Sequence, residues 1–182
     1  MAFPTMRTEK NWLQTILGTD WKLGKNWAIF FGRLALGFVF LWGGYQKILT
    51  QMKGQMATKG FLSGPSVAQG PFAESFNGLA GSWTVEYLVV YGELLIGIAL
   101  ILGVAVRFAS MSGITMMTLF TVAMWPIAEK ASDNPIVDVR VFYTVSFLIL
   151  AYFAAGRFLG LDRFIERAKF VQKHPKLAWF LG

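Results

Sequence analysis

The 182-residue chain contains no cysteine and a single histidine, His174. Without thiols these residues form no disulfide, no cysteine-ligated iron–sulfur cluster and no covalent haem attachment. One histidine in the C-terminal tail leaves no pair to hold haem b or zinc, so no metal or haem is expected on this chain alone. There is no phosphate-binding loop and no Ser/His/Asp set. Charge is scarce as well: 15% of residues are Asp, Glu, Lys or Arg, against 55% hydrophobic ones. A soluble domain of this size needs more polar surface to cover its core.

What is present is long apolar runs. A bilayer core of about 30 Å takes ~20 helical residues to cross, and four stretches reach that length, at about 27–49, 84–106, 108–128 and 136–157. Backbone groups in lipid find no water to bond, so these spans should be helices. The expected fold is all-α: one integral membrane domain, 1–182, built as a four-helix bundle with an outer loop over 50–83. The first apolar run is long and lacks a small-residue cleavage pattern, so no cleaved signal peptide is expected.

The net charge of +7 has a geography. Arg7, Lys10, Lys22 and Lys25 precede the first span, Arg107 sits between the second and third, and a basic series from Arg157 to Lys176 follows the fourth. The positive-inside rule then puts both termini in the cytoplasm of a multi-pass cell-membrane protein. Such tails suit anionic lipid headgroups and give no reason to invoke nucleic acid. NWLQTILGTDW at the N-terminus and LDRFIERAKFVQKHPKLAWFLG at the C-terminus read as amphipathic helices lying on the membrane surface. The loop carries Phe61, Phe72, Phe76 and Trp83. It either folds back over the outer mouth of the bundle or rests on the headgroups.

Ionisable groups inside spans cost at least ~2.5–3.5 kcal/mol and seek partners or water. Here they are Arg33, Glu93 and Arg140, with Lys47, Glu86 and Asp138 near the outer ends. At ~1.5 Å per residue, Arg33 is about 9 Å from the cytoplasmic side, within reach of the surface by snorkelling. Arg140 can extend inward toward Glu93, with Tyr143 on its own helical face and Tyr45 and Lys47 ending the first span near that level. Two uses compete for such a cluster. Glu93 and Arg140 form an ionic lock between helices, or Glu93 exchanges protons with a bound redox ligand while Arg140 and Lys47 hold an anion.

The stretches FFGRLALGFVFLWGGYQKI and YGELLIGIALILGVAVRFA, and a fourth helix that opens VDVRVFY and closes GRFLGLD, resemble the DoxX-like family of four-helix membrane proteins over about residues 27–162. The loop GFLSGPSVAQGPFAESF looks more specifically like that of DoxD, the small membrane subunit of thiosulfate:quinone oxidoreductase. The resemblance implies oxidation of thiosulfate at the outer side, a membrane quinone as electron acceptor, and a second, DoxA-like subunit or respiratory complex as partner. On that footing Lys47 and Arg140 would bind the anion, and Glu93, Tyr45 and Tyr143 would handle quinone protons. Arg33 and Arg107 come with the motif, Arg107 as a topology anchor. The quinone reading requires an apolar cleft that reaches Glu93. The alternative is a non-catalytic scaffold or anchor subunit of a respiratory membrane complex. A channel or carrier ranks lower, because no inverted repeat is visible.

Overall fold

The computed structural model describes residues 21–65, 67, 71–125, 138–166 and 171. All regular structure among them is helical. In chain order the helices are α1 (Trp21–Met52), α2 (Ala57–Leu62), α3 (Ala73–Gly78), α4 (Trp83–Leu102), α5 (Val106–Ala123), α6 (Val139–Tyr152) and α7 (Asp162–Ile165). Three stretches are long and apolar enough to cross a membrane: Gly24–Met52, Trp83–Leu102 and Val106–Ala123. This is a multi-pass membrane architecture.

The expected boundaries need correction in all four spans, the third being Val106–Ala123 instead of 108–128. α1 begins six residues before position 27, and its 32 residues extend about 48 Å, more than a bilayer core requires. The second span stops at Leu102 instead of 106, because Gly103 takes the left-handed conformation (φ 68°) as its C-cap. The fourth helix has 14 residues rather than the expected 22 or so, about 21 Å. It ends because Ala154 and Leu159 turn into positive φ and the chain folds back beneath the bundle. The amphipathic N-terminal helix lies outside the described residues. At the C-terminus only the four residues of α7 and Val171 fall within them.

α1 packs most extensively on α4, and α6 on α5. The first contact depends on small residues. A Cβ on Gly44 would stand 2.7 Å from the backbone nitrogen of Leu94, and one on Gly97 would stand 2.9 Å from the carbonyl oxygen of Gly37. Close backbone approach of this kind is how helices associate in lipid, where burying apolar surface gives no gain. Inside, Leu36 and Phe40 of α1 meet Ile96 and Leu100 of α4, Ala109 and Met117 of α5, and Phe147 and Leu150 of α6. Large apolar side chains such as Phe31, Leu88 and Phe142 face outward.

At the end of the bundle opposite the 50–83 loop, Arg33 does not snorkel. It is fully buried and donates to the carbonyl oxygens of Ala155 (2.5 Å), Phe158 (3.2 Å) and Leu159 (3.1 Å). Those carbonyls are free to accept because the helix has already ended. Its guanidinium lies against Gly103 and Gly160, where added Cβ atoms would fall 2.8 and 2.9 Å from Nη1. Beside it the buried Asp162 carboxylate accepts from the backbone N–H groups of Ala105 (2.6 Å) and Val106 (3.1 Å), capping α5 from a distant segment. In return the Asp162 N–H donates to the Gly103 carbonyl at 2.9 Å. Arg107 Nε reaches the Ala151 carbonyl at 3.2 Å, so it ties the start of α5 to the end of α6.

Burial lifts the Asp162 carboxyl from its ordinary 3.8 to about 6, against the downward pull of the Val106 and Ala105 N–H groups and of Arg33. A folded-state value above the unfolded one means that the native protein binds this proton more tightly. Stability therefore falls as pH rises from about 4 to about 6, by at most ~3 kcal/mol. Thermal midpoints measured in detergent across that window should show this decline in the wild type relative to Asp162→Asn, in which it is removed.

Candidate functional site

At the loop end of the bundle, Lys47 of α1 forms an ion pair with Glu93 of α4. Lys47 keeps 28% of its side-chain exposure and Glu93 only 11%. The two helices run antiparallel, with Gly44 at the level of Leu94, so Glu93 stands beside Gly43 and Lys47, about one turn further out, reaches back to its carboxylate. Gly43, one turn before Lys47 on the same side of α1, makes room for the carboxylate. A Cβ at that position would stand 3.0 Å from Glu93 Oε1.

Arg140 is not the partner of Glu93, which corrects the expected Glu93–Arg140 lock. Its guanidinium grips Asp138 in a fork, Nε to Oδ1 at 2.6 Å and Nη2 to Oδ2 at 2.7 Å, and also contacts Met124 Sδ at the end of α5. Asp138 is the N-cap of α6 and accepts from the Arg140 backbone N–H at 2.8 Å. A nearby carboxylate two residues away satisfies the planar guanidinium without a reach across the bundle. Arg33, which would have had to extend upward to meet Glu93, is engaged at the opposite end.

Of the tyrosines, Tyr143 packs edge-on against Phe40, with ring centroids 5.9 Å apart. Phe40 is seven residues before Lys47, hence on the same face of α1 and about 10 Å further into the bundle. Tyr143 also lines an apolar groove of about 370 Å³ between α1 and α6, with Gly32, Ala35, Val39 and Ser146. Tyr45 is half-exposed and packs with Trp42 at 5.6 Å. Two residues from Lys47, it projects from the other side of α1. A larger groove, about 640 Å³, runs between α4 and α5 past Leu88, Gly92, Leu95, Phe108 and Met116. Glu93 lines neither groove, so neither of them is the apolar cleft reaching Glu93 that the quinone reading requires. The structure thus unites Lys47 with Glu93, sets Tyr143 apart in its own groove, and leaves Arg140 and Tyr45 elsewhere.

Glu86 has a part the sequence reading did not assign. Fully buried, it accepts from Gln51 Nε2 (3.1 Å), the N–H groups of Ala57 (2.9 Å) and Thr58 (2.8 Å), and the Thr58 hydroxyl. It caps α2 and fastens the loop to α4. The signal was available: Lys47 and Gln51 are four apart on α1, Glu86 and Glu93 seven apart on α4, so two donors face two carboxylates across one antiparallel contact. Asp138 lies two residues inside the expected fourth span of 136–157, and the helix starts after it because its carboxylate caps the first turn.

Breaking a largely buried ion pair from one side strands the other charge, at a cost of ~3 kcal/mol or more. Lys47→Met and Glu93→Gln should each lower the thermal midpoint. The double variant should recover most of the loss, giving a coupling of about 3 kcal/mol in a double-mutant cycle.

The DoxX family model matches residues 28–125, a range that contains Arg33, Lys47, Glu86, Glu93, Gly97, Gly103 and Arg107. No solved structure matches the chain. With the match covering more than half of its length, the chain belongs to the DoxX family.

Proposed function

We propose that this DoxX-family protein is the membrane subunit of an oxidoreductase that passes electrons from thiosulfate, or a related sulfur oxyanion, to a membrane quinone. The loop end of the bundle then faces outward and both termini are cytoplasmic, in keeping with the basic flanks. The observation that carries the reading is the Lys47–Glu93 pair, a cation and a carboxylate held together in an apolar setting with the lysine still partly exposed.

The chemistry asks for an anion site and a proton site. A thiosulfate dianion approaching from outside competes with Glu93 for the Lys47 ammonium, and the displaced carboxylate takes up a proton. Two thiosulfates lose one electron each and join through a new S–S bond, giving tetrathionate. The quinone gains those two electrons and two protons and leaves as quinol, with Glu93 one source of protons. The groove between α1 and α6 suits an isoprenoid tail, with the Tyr143 phenol at its loop-side end as a hydrogen-bond partner for the ring. Phe40, on which Tyr143 packs, is about 5 Å inward of Gly43, where the Glu93 carboxylate sits, by helix rise. With no cysteine and one histidine in the chain, a metal-based redox centre would sit on a second, DoxA-like subunit.

A scaffold subunit of a respiratory membrane complex is the second reading. It is favoured by the closed Asp138–Arg140 fork, which leaves this guanidinium already satisfied.

Membranes containing the chain and its partner subunit should reduce quinone when thiosulfate is added. Glu93→Gln, assembled normally, should lose about a hundredfold in rate, the scale of a general acid–base contribution. Arg140→Gln should lose less, since its charge is engaged by Asp138. Equal rates in wild type and an assembled Glu93→Gln variant would favour the scaffold.

A further inference from the structure

We propose that Glu86 is a positioning residue that latches α2 as a lid across the outer approach to the Lys47–Glu93 pair. This rests on the reading of that pair as the anion site and adds how access to it is controlled. Glu86 and Glu93 are seven residues apart on α4, and Gln51 and Lys47 four apart on α1. The Glu86 cluster therefore lies directly outward of the ion pair, on the same faces of the same two helices.

α2 packs against both α1 and α4, with Thr58 and Leu62 buried beneath it. Glu86 holds its first turn through both backbone N–H groups and the Thr58 hydroxyl, while Gln51 secures the carboxylate from α1. Further along α2, Phe61 rests on Phe120 of α5, ring centroids 5.4 Å apart. The short helix thus bridges three helices of the bundle. Its connection to α1 runs through Gly54 at φ 74°, a conformation glycine adopts without strain and a natural hinge. Lys47 keeps 28% of its side-chain exposure with α2 in place, so the lid narrows the approach to the ammonium without sealing it. Because Glu86 has no cation among its hydrogen-bond partners, its hold is a set of charge-assisted hydrogen bonds that α2 can leave without uncovering a second charge.

The test uses the full-length protein in lipid nanodiscs and a membrane-impermeant, sulfonated amine-reactive ester, itself an anion. Labelling of Lys47 is measured by peptide mass spectrometry as a ratio to the exposed Lys53. Glu86→Gln should raise that ratio about tenfold, the factor equivalent to one lost charge-assisted hydrogen bond, and Phe61→Ala, which removes the packing on Phe120, should independently raise it severalfold. A merely structural Glu86 would lower the thermal midpoint and leave the ratio unchanged, and an unchanged ratio in folded Glu86→Gln and Phe61→Ala protein overturns the lid. Should Glu86→Gln fail to fold, Phe61→Ala decides alone. Labelling needs no turnover, so a raised ratio in protein that never reduces quinone with thiosulfate supports the lid and counts against the oxidoreductase.

Discussion

A charge placed in a helix that crosses lipid must find its counterpart on another segment of protein, and this requirement organises the whole bundle. Four of the buried ionic groups find partners far away in the chain, whereas Asp138 is met by Arg140 two residues on. Arg33 is met by carbonyls more than 120 residues away, Asp162 by the start of α5, Glu86 by the loop, and Glu93 by Lys47. Since lipid offers little reward for burying further apolar surface, these polar contacts, with the glycine-mediated approach of α1 to α4, specify which helix lies beside which.

The two ends of the bundle use that requirement differently. Around Arg33 the partners are backbone carbonyls and tight glycines, and nothing can shift without breaking several contacts at once. At the loop end the partners are flexible side chains: a lysine, a glutamine and a six-residue helix held by one carboxylate. Lys47 and Glu93 neutralise each other there as an ion pair.

Much of this was legible in the residues. The apolar runs located α1, α4 and α5 to within a few residues, because length and hydropathy are local properties. The short α6 was not, because it stops at the turn in which Ala154 and Leu159 take positive φ, and the carbonyls that turn exposes are held by Arg33 from α1, a contact no local window contains. Lys47 and Glu93 were both singled out, but as separate agents. Depth along the helices places the polar groups in the outer half of the bundle, whereas the rotation of α1 against α4, fixed by Gly37, Gly44 and Gly97, decides that Lys47 and not Arg140 meets the carboxylate. Arg140 meets Asp138 because Asp138 is the N-cap, outside the helix, where its extended backbone lets both the Arg140 N–H and guanidinium reach one carboxylate. Inside one continuous helix two residues so spaced point apart. Tyr45 shared a level with the pair and faces away from it, a distinction of helical phase.

The central claim is that the Lys47–Glu93 pair performs chemistry beyond holding two helices together. Exchanging the charges, Lys47→Glu with Glu93→Lys, tests it most directly, because the swap preserves the ion pair while moving the carboxylate to α1. The account predicts a protein as stable as the wild type whose thiosulfate-dependent quinone reduction is lost, as the anion and proton sites trade places relative to the Tyr143 groove. A swapped protein that reduces quinone at the wild-type rate would contradict it, and the pair would be a structural bond alone.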